Sequence, residues 1–202
     1  MAEIFGFDAY SPAQIAERVE TVGVTKARLP LVSLILLGML AGAFIGFGAL
    51  FSTLVASDAS IGFALQRLLM GLTFSLGLVL VVVAGAELFT GNNLLVMAWG
   101  DRKIASAELM RNWLVVYVAN AAGAIGLALL VFWSHHADMA GGNVGAQYVK
   151  IAAAKTAMPF AEAFFKGVRC NALVCLAVWL TLAGHTVTDK ILAVVFPISA
   201  FV

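Results

Sequence analysis

Between Ile61 and Trp99 runs an apolar stretch of about 40 residues, roughly twice what one straight helix needs to cross a bilayer core. It contains no polar turn long enough for a hairpin. What interrupts it is Gly85-Ala86-Glu87-Leu88-Phe89-Thr90-Gly91-Asn92-Asn93, which brings a carboxylate, a hydroxyl, two amides and two glycines into the run. Lipid offers a freed N–H or C=O no partner, so backbone that leaves the helix there must be buried by protein or line a wet cavity. The pattern predicts a helix over about 62–84, an unwound stretch, and a half-helix near Asn93–Trp99. A chain that carries such a break has to build a bundle around it.

The rest of the sequence supplies that bundle. It is 62% hydrophobic and 11% charged, with a mean hydropathy of +1.01, whereas soluble domains carry about a quarter charged residues. A water-soluble globule and a disordered chain are both excluded. The net charge is +1 and no basic stripe is present, which excludes nucleic acid as a partner. Leu31–Ala56 is a charge-free first span, and Gly38, Gly42 and Gly46 leave a bare ridge on it for another helix. A third span is expected at Trp113–Trp133, after the polar loop Gly100–Glu108. A surface helix is expected on Val144, Tyr148 and Ile151 within Ser134–Met158, and a fourth span at about Phe160–Ala183. Ile191–Val202 gives only about 18 Å of helix, too short to cross, so the sequence is expected to stop within a fifth span.

Residues 1–28 read as a separate N-terminal amphipathic helix on the cytoplasmic side, and 29–202 as the membrane domain. Ser11-Pro12-Ala13-Gln14 has the form of a capping box with proline at the first helical position. No cleavable signal is expected. Lys26 and Arg28 before the first span, and Arg102, Lys103 and Arg111 after the second, orient the chain with its N-terminus in the cytoplasm.

At the break, half-helix N-termini near the midplane favour a small anion through their dipole and free N–H groups. Glu87 would repel an anion if it faced the path, so it is expected to be structural, accepting bonds from N–H groups that the break frees. The Thr90 hydroxyl, able to donate and accept, suits the path. Phe74 and Leu78 lie one turn apart and could gate by dewetting, although the pattern alone favours lipid-facing or core packing for apolar residues at that spacing. Asn171 is either interhelical glue or a path lining. Glu162 and Lys166, one turn apart, are expected to pair. Cys170 and Cys175 are about 7.5 Å apart along a helix, too far for a disulfide, and read as small buried apolar residues. His135, His136 and His185 fall in loops, and no metal-ligand spacing, cofactor motif or nucleophile elbow is present. The sequence does not read as an enzyme.

The run Val82-Val83-Ala84-Gly85-Ala86-Glu87-Leu88-Phe89-Thr90-Gly91 resembles the signature of the formate/nitrite transporter family. Ala154-Lys155-Thr156-Ala157 and Lys166-Gly167, then Cys170-Asn171-Ala172-Leu173-Val174-Cys175-Leu176-Ala177-Val178-Trp179, resemble it in the same order. The resemblance implies an all-α membrane protein with a six-span, aquaporin-like fold, two inverted halves and broken helices. Four spans and part of the fifth would be present here. It implies a homopentamer in the inner membrane with one pore per subunit, passing small anions of weak acids, and no cofactor. By matching position, Phe74, Leu78 and Phe201 become apolar constrictions, Leu88 and Thr90 fall in the broken second span, Asn171 lies in the fourth, and Lys155 stands near the outer vestibule. Gly85, Glu87, Gly91 and Asn92 become structural at the break. The family's second broken helix carries a Glu-His pair just beyond the position of Val202, and the resemblance gives that histidine the role of proton donor.

The expected function is therefore a channel for formate or nitrite, coupled to protonation if dry rings penalise the naked charge. An aquaporin-like path for neutral solutes and a non-transporting anchor subunit of an oxidoreductase are the alternatives.

Overall fold

The computed structural model describes residues 9–202. Met1–Asp8, and with them the first part of the expected N-terminal piece, lie outside the described residues. Helix α1 (Pro12–Ala27) starts at Ser11, whose hydroxyl accepts from the Gln14 N–H while the Gln14 side chain accepts from the Ser11 N–H. It buries Ile15, Val19, Gly23 and Ala27 and packs along α5 (Leu95–Gly100) and α6 (Ser106–Trp133). Among the described residues, four helices are long and apolar enough to cross a membrane: α2 (Leu31–Ala56), α3 (Phe63–Ala84), α6 and α8 (Phe160–Thr181). Between α6 and α8 lie an irregular 3-10 stretch, His136–Gly142, and α7 (Asn143–Thr156). Helix α9 (Val187–Phe201) closes the described chain with Pro197 inside it. Among the described residues the fold is all-helical, with four helices of spanning length and the shorter α9.

The glycine ridge of α2 meets α6. A Cβ at Gly38 would fall 2.6 Å from the Ala119 Cβ, and one at Gly42 would land on the Asn120 carbonyl. From the other side, Gly123 gives the same room to the Met39 carbonyl. Main chains can approach this closely only where side chains are missing. Helix α6 begins seven residues before the expected Trp113, because the Glu108 carboxylate accepts from the Ala105 N–H at 2.7 Å and caps the first turn. Polar residues around 106–112 thus belong to the helix, and Asn112 is fully buried in it.

One apolar core unites Ala41 of α2, Leu78 and Val81 of α3, Ala86, Val174 and Ala177 of α8, and Val194 and Ile198 of α9. This core wraps the place where the long apolar run breaks.

Candidate functional site

Helix α3 stops at Gly85, whose φ of +81° is left-handed and costs glycine little. Four residues, Gly85–Leu88, are non-helical, and the helix resumes at α4 (Phe89–Asn92). The resumption comes four residues before the expected Asn93, so Thr90, Gly91 and Asn92 lie in a helical turn. Its cause is a side chain from another helix. Asn120 of α6 accepts from the Phe89 N–H at 2.9 Å and donates to the carbonyls of Glu87 and Gly38, each at 2.8 Å. The Glu87 N–H donates to the Leu37 carbonyl at 3.1 Å. The unwound backbone is thereby satisfied by α2 and α6, as burial at this depth demands.

Glu87 finds side chains rather than freed N–H groups. Lys26 Nζ donates to its carboxylate at 2.8 Å and to the Asn92 side-chain oxygen at 3.1 Å. Asn92 Nδ2 donates to the other Glu87 oxygen at 2.7 Å and to Asn112 at 2.9 Å, and Asn112 donates on to the Lys26 carbonyl at 3.0 Å. The Trp113 indole donates to the Asn92 carbonyl at 2.9 Å. Only 6% of the Glu87 side chain is exposed, so the ion pair with Lys26 cancels a charge that would be expensive alone. Sequence reasoning used Lys26 only as an orientation charge and passed over Asn112 and Asn120. The available signal was two amides eight residues apart, and so on one face, of an otherwise apolar span.

Apolar residues close over the break. Phe74 and Phe201 meet edge to face with ring centroids 5.6 Å apart, and both pack with Leu88 against the core that contains the buried Leu78. On the α1 side of Leu78 lies a cavity of about 230 Å³, lined in part by Leu78, Gly85, Glu87, Leu88, Gly91 and Asn92. Lys26 and Lys190 also reach its wall. Thr90 and Asn171 lie instead between α4 and α8, where Asn93 Nδ2 donates to Asn171 Oδ1 at 3.1 Å and the Cys175 thiol donates to the Thr90 carbonyl at 3.4 Å. Both cysteines are free and only half-buried, and Cys175 acts as a polar link rather than as plain apolar filling. Lys155 is exposed in the last turn of α7. Glu162 and Lys166 pair at 2.5 Å on the exposed side of α8. His136 opens the 3-10 stretch and meets the Tyr148 hydroxyl at 3.0 Å.

The family described as formate/nitrite transporter matches residues 13–202. The chain belongs to that family. A formate channel, FocA, of Haemophilus influenzae is 35% identical over 196 residues, covering 96% of this chain and 69% of the relative. An uncharacterized transporter of Bacillus subtilis, YrhG, is 41% identical, with 95% and 72% covered. A solved pentameric formate channel with formate bound superposes at a TM-score of 0.78 with 36% identity, over 85% of this chain and 68% of the other. A second structure, an ion channel of the formate/nitrite transporter family, gives 0.82 at 28% identity, over 94% and 76%. These formate/nitrite transporter relatives are channels and transporters, and the broken second span sits in a membrane-transport fold.

Proposed function

We propose that the protein is a homopentameric inner-membrane channel for small monovalent anions of weak acids, formate or nitrite first, with one pathway per subunit and its N-terminus in the cytoplasm. The observation that carries this reading is the join at the break. A polar, unwound segment with a helix restarting at Phe89 lies directly beneath the apolar closure of Phe74, Leu78, Leu88 and Phe201. The first N–H groups of a restarting helix have no intrahelical partner. Lys155 draws the anion to the outer mouth, the apolar rings strip its water, and Thr90 and Asn171 offer polar contacts where water has been excluded. Because a bare charge in such a ring is costly, passage is coupled to protonation of the anion. Glu87, neutralised by Lys26, Gly85, Gly91 and Asn92 keep the break in shape rather than meeting the solute. The family name and the formate-bound neighbour support the choice of anion.

The test is swelling of proteoliposomes that hold the full-length protein. They swell in formate or nitrite and not in glycerol, and formate flux rises as the outer pH falls. Equal swelling in glycerol, independent of pH, replaces this reading with a path for neutral solutes.

A further inference from the structure

A short relay of hydrogen bonds joins α4 to α8, and every bond in it has a direction. Asn93 Nδ2 donates to Asn171 Oδ1 at 3.1 Å, Asn171 Nδ2 donates to the Cys175 sulfur at 3.8 Å, and the thiol donates to the Thr90 carbonyl at 3.4 Å. The Asn171 oxygen is thus turned toward α4 and occupied. Its amide nitrogen has two hydrogens, of which one meets a sulfur, a weak acceptor, and the other is uncommitted.

We propose that Asn93 is a positioning residue that sets polarity. By donating to the Asn171 oxygen it holds that amide with its N–H edge, not its carbonyl, toward the passing solute. This rests on the anion-channel reading and deepens it, because Asn171 must line the path for its orientation to matter. An amide is nearly symmetric in shape and opposite in charge at its two ends. A flip therefore exchanges an anion-attracting donor for an anion-repelling acceptor without changing the bore. Cys175 serves the same end by engaging the Thr90 carbonyl, which leaves the Thr90 hydroxyl as that residue's free polar group on the path.

Formate flux in proteoliposomes of the full-length protein tests this with four changes. Asn93→Leu removes the donor, and flux falls about fivefold, the order of one neutral hydrogen bond. Asn93→Gln restores a donor and recovers most of the flux, whereas Asn93→Asp, equal in size to the native residue but without a donor, lowers it as Leu does. The double variant Asn93→Leu with Asn171→Leu conducts no more slowly than Asn171→Leu alone, which a general packing role would not produce. Wild-type flux in Asn93→Asp, or a further loss in the double variant, overturns the proposal. A wild-type protein that conducts no formate overturns the channel reading itself, and the two failures are told apart by that control.

Discussion

Glu87 holds a carboxylate inside an apolar core, and its stability rests on three side chains supplied from outside the break. Lys26 and Asn92 bond it directly, and Asn112 holds Asn92. Glu87→Ala strands the Lys26 ammonium and one Asn92 hydrogen, and is expected to cost about 3–5 kcal/mol. The double variant with Lys26→Met removes both charges and should recover a large part of that loss, since the uncompensated buried charge is its main cause. Thermal unfolding in detergent checks the comparison, and a double variant as unstable as Glu87→Ala refutes the charge-pairing account. From sequence, Glu87 is recognisable as structural because an ionised acid in an anion path works against it. The identity of its partner is not recognisable. Lys26 lies 61 positions away, and counting it as a loop charge conceals that it can reach across a helix interface into the bundle.

At the scale of elements, hydropathy locates each spanning helix because length and apolarity suffice for that. It places the restart after the break four residues late because Phe89 is capped by Asn120, a side chain 31 positions on. Composition registers Thr90, Gly91 and Asn92 as polar and assigns them to the gap, while the fold uses them as a turn. That some helix packs closely on α2 is legible in the Gly38, Gly42 and Gly46 ridge, since a bare stripe has few uses other than close approach; that the partner is α6 is not. The contact of α2 with α6 predicts opposite outcomes for two glycines. Gly42→Ala drives a methyl into the Asn120 carbonyl, displaces the residue that caps the break, and should cost about 1–3 kcal/mol. Gly126→Ala, on α6 with open space around it, should be neutral or gain up to about 1 kcal/mol from helix propensity. Unfolding temperatures of the two variants give the answer, and equal losses would mean that crowding at α2 is not the cause.

In the whole molecule, α1 is tied at both ends. At its start the Tyr10 N–H donates to the Ala183 carbonyl at 3.0 Å, while the Tyr10 ring stacks on His185 and lies under Arg18. At its end Lys26 enters the bundle and Arg28 pairs with Glu108 at 3.0 Å, and from its middle Glu20 pairs with Lys103, which also pairs with Asp101. These ties are unequal. Lys103 is exposed, and its pairs are screened by salt and weak. Its carboxylate partners hold the ammonium above the ordinary lysine range, chiefly through the bond to Glu20. A raised lysine contributes its stability below the ordinary value and loses it only as pH climbs through the raised one, so this tie does not change across about pH 5 to 9. The Lys26 pair is sheltered from salt and holds the break itself. Hydrogen exchange along α1 should therefore respond strongly to Lys26→Ala and hardly at all to Lys103→Ala, in low or high salt. Equal acceleration in both variants would mean that the surface charges, rather than the tie to Glu87, fasten α1 to the wall of the inner cavity.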